Sequence, residues 1–190
     1  MFKKYLPPIL LILLTLATLS GCIQSNKYDY LKDVPIVIDG DPQEWEPFPI
    51  VHNDPEGDNT SYEYDISTVK AFANNDTRTL YILVESYIPP QDITSIELDL
   101  LYNDALYRLG IIPGNEVPGV LARENEDGEW EVVNDRVQTN LAVGDAIEMS
   151  IAIDEFPATK DLKISNLHIM GGVCCNQYEY YSIDSITKSK

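Results

Sequence analysis

The 190-residue chain is 44% hydrophobic, and its 13 basic residues face 31 acidic ones for a net charge of −18. A surface of that sign repels polyanions, which argues against nucleic acid and anionic lipid headgroups as electrostatic partners. Three cysteines and two histidines, His52 and His168, exclude a disulfide framework and a zinc site with the usual ligand spacing.

The chain opens MFKKYLPPILLILLTLATLSGC. Lys3 and Lys4 give a positive start, and the apolar run from Ile9 to Leu19 is short for a bilayer-spanning helix of about 20 residues. Leu19-Ser20-Gly21-Cys22 resembles a prokaryotic lipobox, which implies cleavage before Cys22 and lipid attachment to its thiol. Residues 1–21 are therefore expected to be a lipoprotein signal peptide, and the membrane is the expected partner through lipid at Cys22. The remaining 169 residues suit one domain. Setting aside the two leader lysines leaves 11 basic residues against 31 acidic, a net of −20. Cys174 and Cys175 are sequence neighbours, and a disulfide between them would close a strained ring, so both are expected as thiols.

Residues 22–33 are polar and aperiodic, as expected of a lipidated N-terminus and tether, and residues 34–190 are expected to form the folded domain. Strands are predicted at Pro35–Ile38, Ile66–Ala73, Thr79–Tyr87, Ile96–Leu100, Ala105–Ile112, Gly119–Glu124, Glu129–Val133, Ile147–Ile153, Leu162–Met170 and Gln177–Ile183. Ile96, Leu98 and Leu100 alternate with Glu97 and Asp99, and Ile147, Met149 and Ile151 alternate with Glu148 and Ser150. Period two with polar residues between predicts half-buried antiparallel strands with the acids in solvent. Turns are predicted at Asn74-Asn75-Asp76, Asn103-Asp104, Asp127-Gly128 and Gly171-Gly172. The apolar phase slips by one between Ile164 and Leu167, which predicts a bulge near Ser165 and Asn166. Pro157 limits the one helical candidate, Asp154 to Phe156, to about a turn. The fold class is all-β, with about ten strands spaced as in a sandwich or barrel.

Three segments carry candidate chemistry. In IDGDPQEW, Gly40 and Pro42 turn the chain and Trp45 is expected to fold back across the open end of the domain as a core tryptophan, its N–H bonded to a nearby acid or carbonyl. Asp54, Glu56 and Asp58 surround Gly57 on one loop, and Asp39, Asp41 or Asp65 are candidates to complete a shell of oxygens for Ca²⁺. The spacing departs from the EF-hand loop, and a solvated acidic loop is the alternative. Trp130 lies between Glu129 and Glu131, so alternation turns it to the core if those acids face solvent, and otherwise leaves it as a sugar platform. Tyr62 with Tyr64 and Tyr178 with Tyr180 are spaced to share a face, fit either for stacking a sugar ring or for packing across strands. The chain has no G-x-S-x-G, no phosphate loop and no second histidine set to pair with a nucleophile, so no enzymatic activity is expected.

Ile38-Asp39-Gly40-Asp41-Pro42-Gln43-Glu44-Trp45, then Asp76-Thr77-Arg78-Thr79-Leu80-Tyr81, then Glu148-Met149-Ser150-Ile151 form an ordered series. Together they resemble the family 9 carbohydrate-binding modules and their DOMON-like relatives over roughly residues 34–183. The family's proline after the last isoleucine is missing, since Ala152 stands there. The resemblance implies a two-sheet antiparallel β-sandwich and, in sugar-binding members, loop calcium and aromatic platforms. Some DOMON-like relatives bind haem through methionine with histidine or lysine, which makes Met149, His168 and Met170 the candidates for that lesser alternative. The function expected is a lipid-anchored, extracytoplasmic module that binds carbohydrate or a related surface ligand. A surface accessory domain that contacts another protein is the second expectation.

Overall fold

A computed structural model describes residues 29–57, 65–87, 90, 93–114, 119–157, 162–171 and 181–185. Among them are eleven strands: β1 (Ile50–Asn53), β2 (Ile66–Asn74), β3 (Thr79–Ser86), β4 (Ile93–Tyr102), β5 (Ala105–Ile111), β6 (Gly119–Glu124), β7 (Trp130–Val137), β8 (Thr139–Val143), β9 (Ile147–Ala152), β10 (Leu162–Gly171) and β11 (Tyr181–Ser185). They form two antiparallel sheets, one ordered β1-β2-β3-β9-β8 and the other β11-β10-β4-β5-β6-β7. The protein is an all-β, two-sheet sandwich, as the alternation and the turn spacing imply.

Alternation puts one apolar set from each strand between the sheets. Leu80, Ile82 and Val84 of β3 and Ile147, Met149 and Ile151 of β9 meet Ile96, Leu98 and Leu100 of β4, Leu109 of β5 and Leu167 of β10. Each fully buried side chain of this size contributes about 1.5–3 kcal/mol.

The turns follow their sequence signals. Asn74 Oδ1 accepts the N–H groups of Asp76 (2.9 Å) and Thr77 (3.3 Å), bending β2 into β3. Asn103 and Asp104 have φ of 49° and 63°, so a two-residue turn of the primed kind joins β4 to β5 and fixes every pair in that hairpin. Gly128 has φ 79° in the β6–β7 connection. The β10–β4 register shifts between Ile164 and Asn166, where the bulge is expected. The expected turn at Gly171-Gly172 runs outside the described residues, although β10 and β11 do pair antiparallel.

Several expectations need correction. Residues 35–38 pair with no described strand. Ile36 instead packs, with Val34, against a second apolar cluster, and Val37 is exposed. β1 and β8 have no counterpart in the predicted set, because IVHN and TNLAV each carry too few apolar residues for alternation to stand out. Residues before 34 also pack on the domain. A 3₁₀ turn at Asp29–Asp33 buries Leu31 completely.

That second cluster is what the alternation concealed. Leu31, Trp45, Phe48 and Ala146 pack on Leu83, with Phe72 and Tyr81 beside them, on the outer face of the five-stranded sheet. Trp45 and Phe48 have ring centroids 5.1 Å apart, and Phe48 and Phe72 5.5 Å. Trp45 is buried, as expected of a core tryptophan. It covers the outer face of one sheet, however, and does not close the open end of the sandwich.

Candidate functional site

Glu148 links the first and third sequence motifs. Its Oε2 accepts the backbone N–H groups of Gly40 (2.6 Å) and Asp39 (2.9 Å), and its Oε1 accepts the indole N–H of Trp45 (2.6 Å). Glu148 was expected in solvent with the other acids of its face; the N-terminal segment covers that face, and the residue is fully buried. Burial pushes its pKa up, against the lowering effect of the three N–H donors, and the charge of Glu44 adds to the rise. Gly40 is required here because it has φ 88° and a Cβ would lie 2.7 Å from the backbone nitrogen of Gly144.

Asp39, Glu44 and Glu148 bring oxygens within 4.8 Å of one another. Those carboxylates already serve the fold: Asp39 Oδ1 accepts the N–H of Asp41, and Glu44 Oε1 that of Val37. The three are best described as a latch that closes the N-terminal segment.

The acidic loop after β1 lies at a different corner. Gly57 N–H donates to Asp65 Oδ2 (2.6 Å), and Tyr87 ties the two ends together through Oη to Asp54 O (2.8 Å) and N–H to Asp65 O (2.9 Å). Asp54 Oδ1 lies 3.2 Å from His52 Nε2. Asp65 is 6% exposed, and its Oδ1 has no hydrogen-bond partner among the described residues. Asp39 belongs to the Glu148 latch, Asp41 is exposed and accepts the Gln43 N–H, Glu56 is exposed, and Asp58 lies outside the described residues.

The outer face of the six-stranded sheet holds a different constellation. Register places Asn166, Asp99, Arg108 and Ala122 side by side across β10, β4, β5 and β6, and His168, Glu97, Gly110 and Val120 in the next row. Arg108 forks onto Asp99, with Nε to Oδ1 at 2.7 Å and Nη2 to Oδ2 at 3.0 Å. Its Cζ lies over the ring of Trp130, 4.5 Å from the centroid. The hydrogen bond to Asp99 raises the Arg108 pKa further; burial opposes this, and the charges of Asp99, Glu97 and Glu124 add to it. Asp99 is only 5% exposed although it lies on an outer face, because Arg108, Ser165 and Asn166 enclose it. Asn166 Nδ2 meets His168 Nε2, and Asn166 Oδ1 is buried without a partner among the described residues.

Trp130 is 37% exposed, so it takes neither core position nor full solvent. Both faces of the β6–β7 hairpin are wet here: Val132 is 64% and Val133 48% exposed. Alternation has no inside to point to there. A guanidinium locked at its edge by a carboxylate and on its face by an indole is a rigid surface with little rotamer entropy left to lose on binding.

A cleft of about 280 Å³ also opens between the sheets, lined mainly by Val69, Ala71, Ala73, Leu80, Leu162 and Ile164. His52 lines it as well but is held by Asp54, so the cleft is an apolar gap beside two alanines. Met149 faces the main core and His168 the outside of the six-stranded sheet, so the sheet itself separates them as ligands of one iron. Cys22, Tyr62, Tyr64, Tyr178 and Tyr180 lie outside the described residues.

Sequence reasoning named Trp130 but missed Asp99 and Arg108 as a unit, and named His168 only as an iron ligand. One signal was available: a two-residue turn at Asn103-Asp104 pairs Asp99 with Arg108 and Glu97 with Gly110. No family model, curated protein or solved structure matches the chain.

Proposed function

We propose that this protein is a lipid-anchored, extracytoplasmic binding module that takes a carbohydrate on the outer face of its six-stranded sheet. The observation that carries the proposal is Trp130, exposed and stacked on an Arg108 that is itself fixed by Asp99. Sugar recognition needs an apolar plane for the C–H face of a ring and fixed polar groups at its edge for hydroxyls, and this face offers both. The proposed activity is binding without turnover. Affinity electrophoresis in gels containing soluble polysaccharides tests it. Wild-type protein is retarded by at least one polysaccharide and Trp130→Ala migrates as in a blank gel; no retardation on any polysaccharide, with or without Ca²⁺, ends the carbohydrate reading.

The anchor rests on Leu19-Ser20-Gly21-Cys22 behind a basic, apolar leader. Lasting attachment takes more than one acyl chain. Cys22→Ser is expected to abolish palmitate labelling and move the protein from the membrane to the soluble fraction. Relationship to the family 9 and DOMON-like sandwiches is likewise our inference, supported by the contact between Trp45 of the first motif and Glu148 of the third. Calcium belongs to the same proposal, at the corner of Asp54 and Asp65, and the unpartnered Oδ1 of Asp65 is its support.

A second reading, docking of another protein, is favoured by the edge strand β7 with its exposed Val132 and Val133. Co-purification of a stable protein partner from intact membranes, without glycan affinity, selects that reading.

A further inference from the structure

We infer that the glycan bound on this face carries a protonated amine, which sits on Glu97 in the open space above Gly110; this rests on the carbohydrate reading above. Gly110 leaves a gap in the side chains of β5, since a Cβ built there meets no atom of the described residues within 4 Å. Glu97 is its cross-strand neighbour on β4, and His168 stands beyond Glu97 on β10. Arg108 lies two residues along on the same face, under the indole of Trp130.

The charges of this face are unequally matched. Arg108 gives its fork to Asp99, and Glu97 receives only an approach of 3.8 Å from Nη1, longer than a hydrogen bond. The Glu97 side chain is 35% exposed, so it can be reached from solvent. One carboxylate is thus neutralised and enclosed, and the other is open beside a gap with no side chain in it.

An ammonium group answers that arrangement best. It is compact, carries charge opposite to Glu97 and brings donors alone. A hydroxyl can also donate to the carboxylate, but it brings one donor and no charge of its own. An N-acetyl group keeps one N–H donor but loses the positive charge, and a uronate would meet Glu97 and the field of a chain of net charge −18. The Trp130 ring and the Glu97 carboxylate flank the same guanidinium, 4.5 Å from its Cζ and 3.8 Å from its Nη1, so one short stretch of glycan can reach both.

Titration of the full chain by calorimetry tests this with three oligosaccharide sets: glucosamine oligomers held below the amine pKa, their N-acetylated counterparts and galacturonate oligomers. The expected result is at least tenfold tighter binding of the amine form than of the acetylated form, and no binding of the uronate. Glu97→Gln abolishes the tenfold advantage. Glu46→Gln, which removes the same charge from the other side of the sandwich, keeps it and so separates local recognition from general attraction to an acidic protein. Equal affinity for amine and acetylated forms, or an advantage that survives Glu97→Gln, overturns the inference while the carbohydrate reading stands. Retention on a neutral polysaccharide with none of the three oligomers bound does the same. Absence of binding to any glycan overturns both.

Discussion

Glu148 joins the N-terminal segment to β9 with three hydrogen bonds in a place closed to water. Truncation to alanine strands the buried donors of Gly40 and Trp45, each costing about 1–3 kcal/mol, and a half-buried one at Asp39, so Glu148→Ala is expected to lose on the order of 3 kcal/mol in urea unfolding. The same residue carries a pH dependence. Its folded pKa is raised above the ordinary glutamate value of 4.5, chiefly by burial, so the native state holds the proton more tightly than the unfolded chain. Its contribution to stability is therefore full below about pH 4.5 and is lost as pH rises through the folded value. Stability measured from pH 4 to 8 for wild type relative to Glu148→Gln should fall with rising pH; a difference that stays level or grows contradicts the raised pKa. Trp130 is the contrasting residue, because its exposed ring contributes little burial, and Trp130→Ala is expected to change stability by less than about 1 kcal/mol.

The N-terminal segment acts as a covering element for the five-stranded sheet although it forms no strand. Burial of Leu31, Trp45 and Phe48 at about 1.5–3 kcal/mol each amounts to much of the 5–15 kcal/mol by which domains of this kind are stable. A chain beginning at Pro49 is therefore expected to fail to fold or to aggregate, seen as loss of a cooperative urea transition; an unchanged midpoint would show that the segment is dispensable. The strands were legible where alternation is long, as in β4 and β9, and where a turn has its own chemistry, as at Asn103-Asp104. Alternation assigns residues to two faces but cannot tell whether a face is wet. Glu148 was misplaced and Trp130 left open for that reason, the first because a distant segment covers its face, the second because both faces of its hairpin are wet. The Asp99–Arg108 pair follows from a register that the turn determines, whereas its contact with Trp130 spans three strands and has no local signal.

At the scale of the molecule, the excess of acids sets what can approach it. A net charge of −18 favours cations and cationic or neutral ligands, which fits both the amine on Glu97 and calcium near Asp65. If calcium binds the native protein alone, a hundredfold excess over its Kd adds about 2.7 kcal/mol, equivalent to a rise of roughly 5–10 °C in Tm for a domain of this size. Scanning calorimetry with calcium and with chelator measures this, and Asp65→Asn should erase the difference. The central claim concerns which face binds. The chain has two tryptophans, one sealed against Glu148 and one open on the outer face of the six-stranded sheet. Their indole N–H resonances are two separate reporters in a ¹⁵N-labelled sample titrated with a retained oligosaccharide. Progressive, saturable shift of the Trp130 indole signal with the Trp45 signal fixed is the predicted result; saturation of binding with the Trp130 signal unmoved would contradict the site.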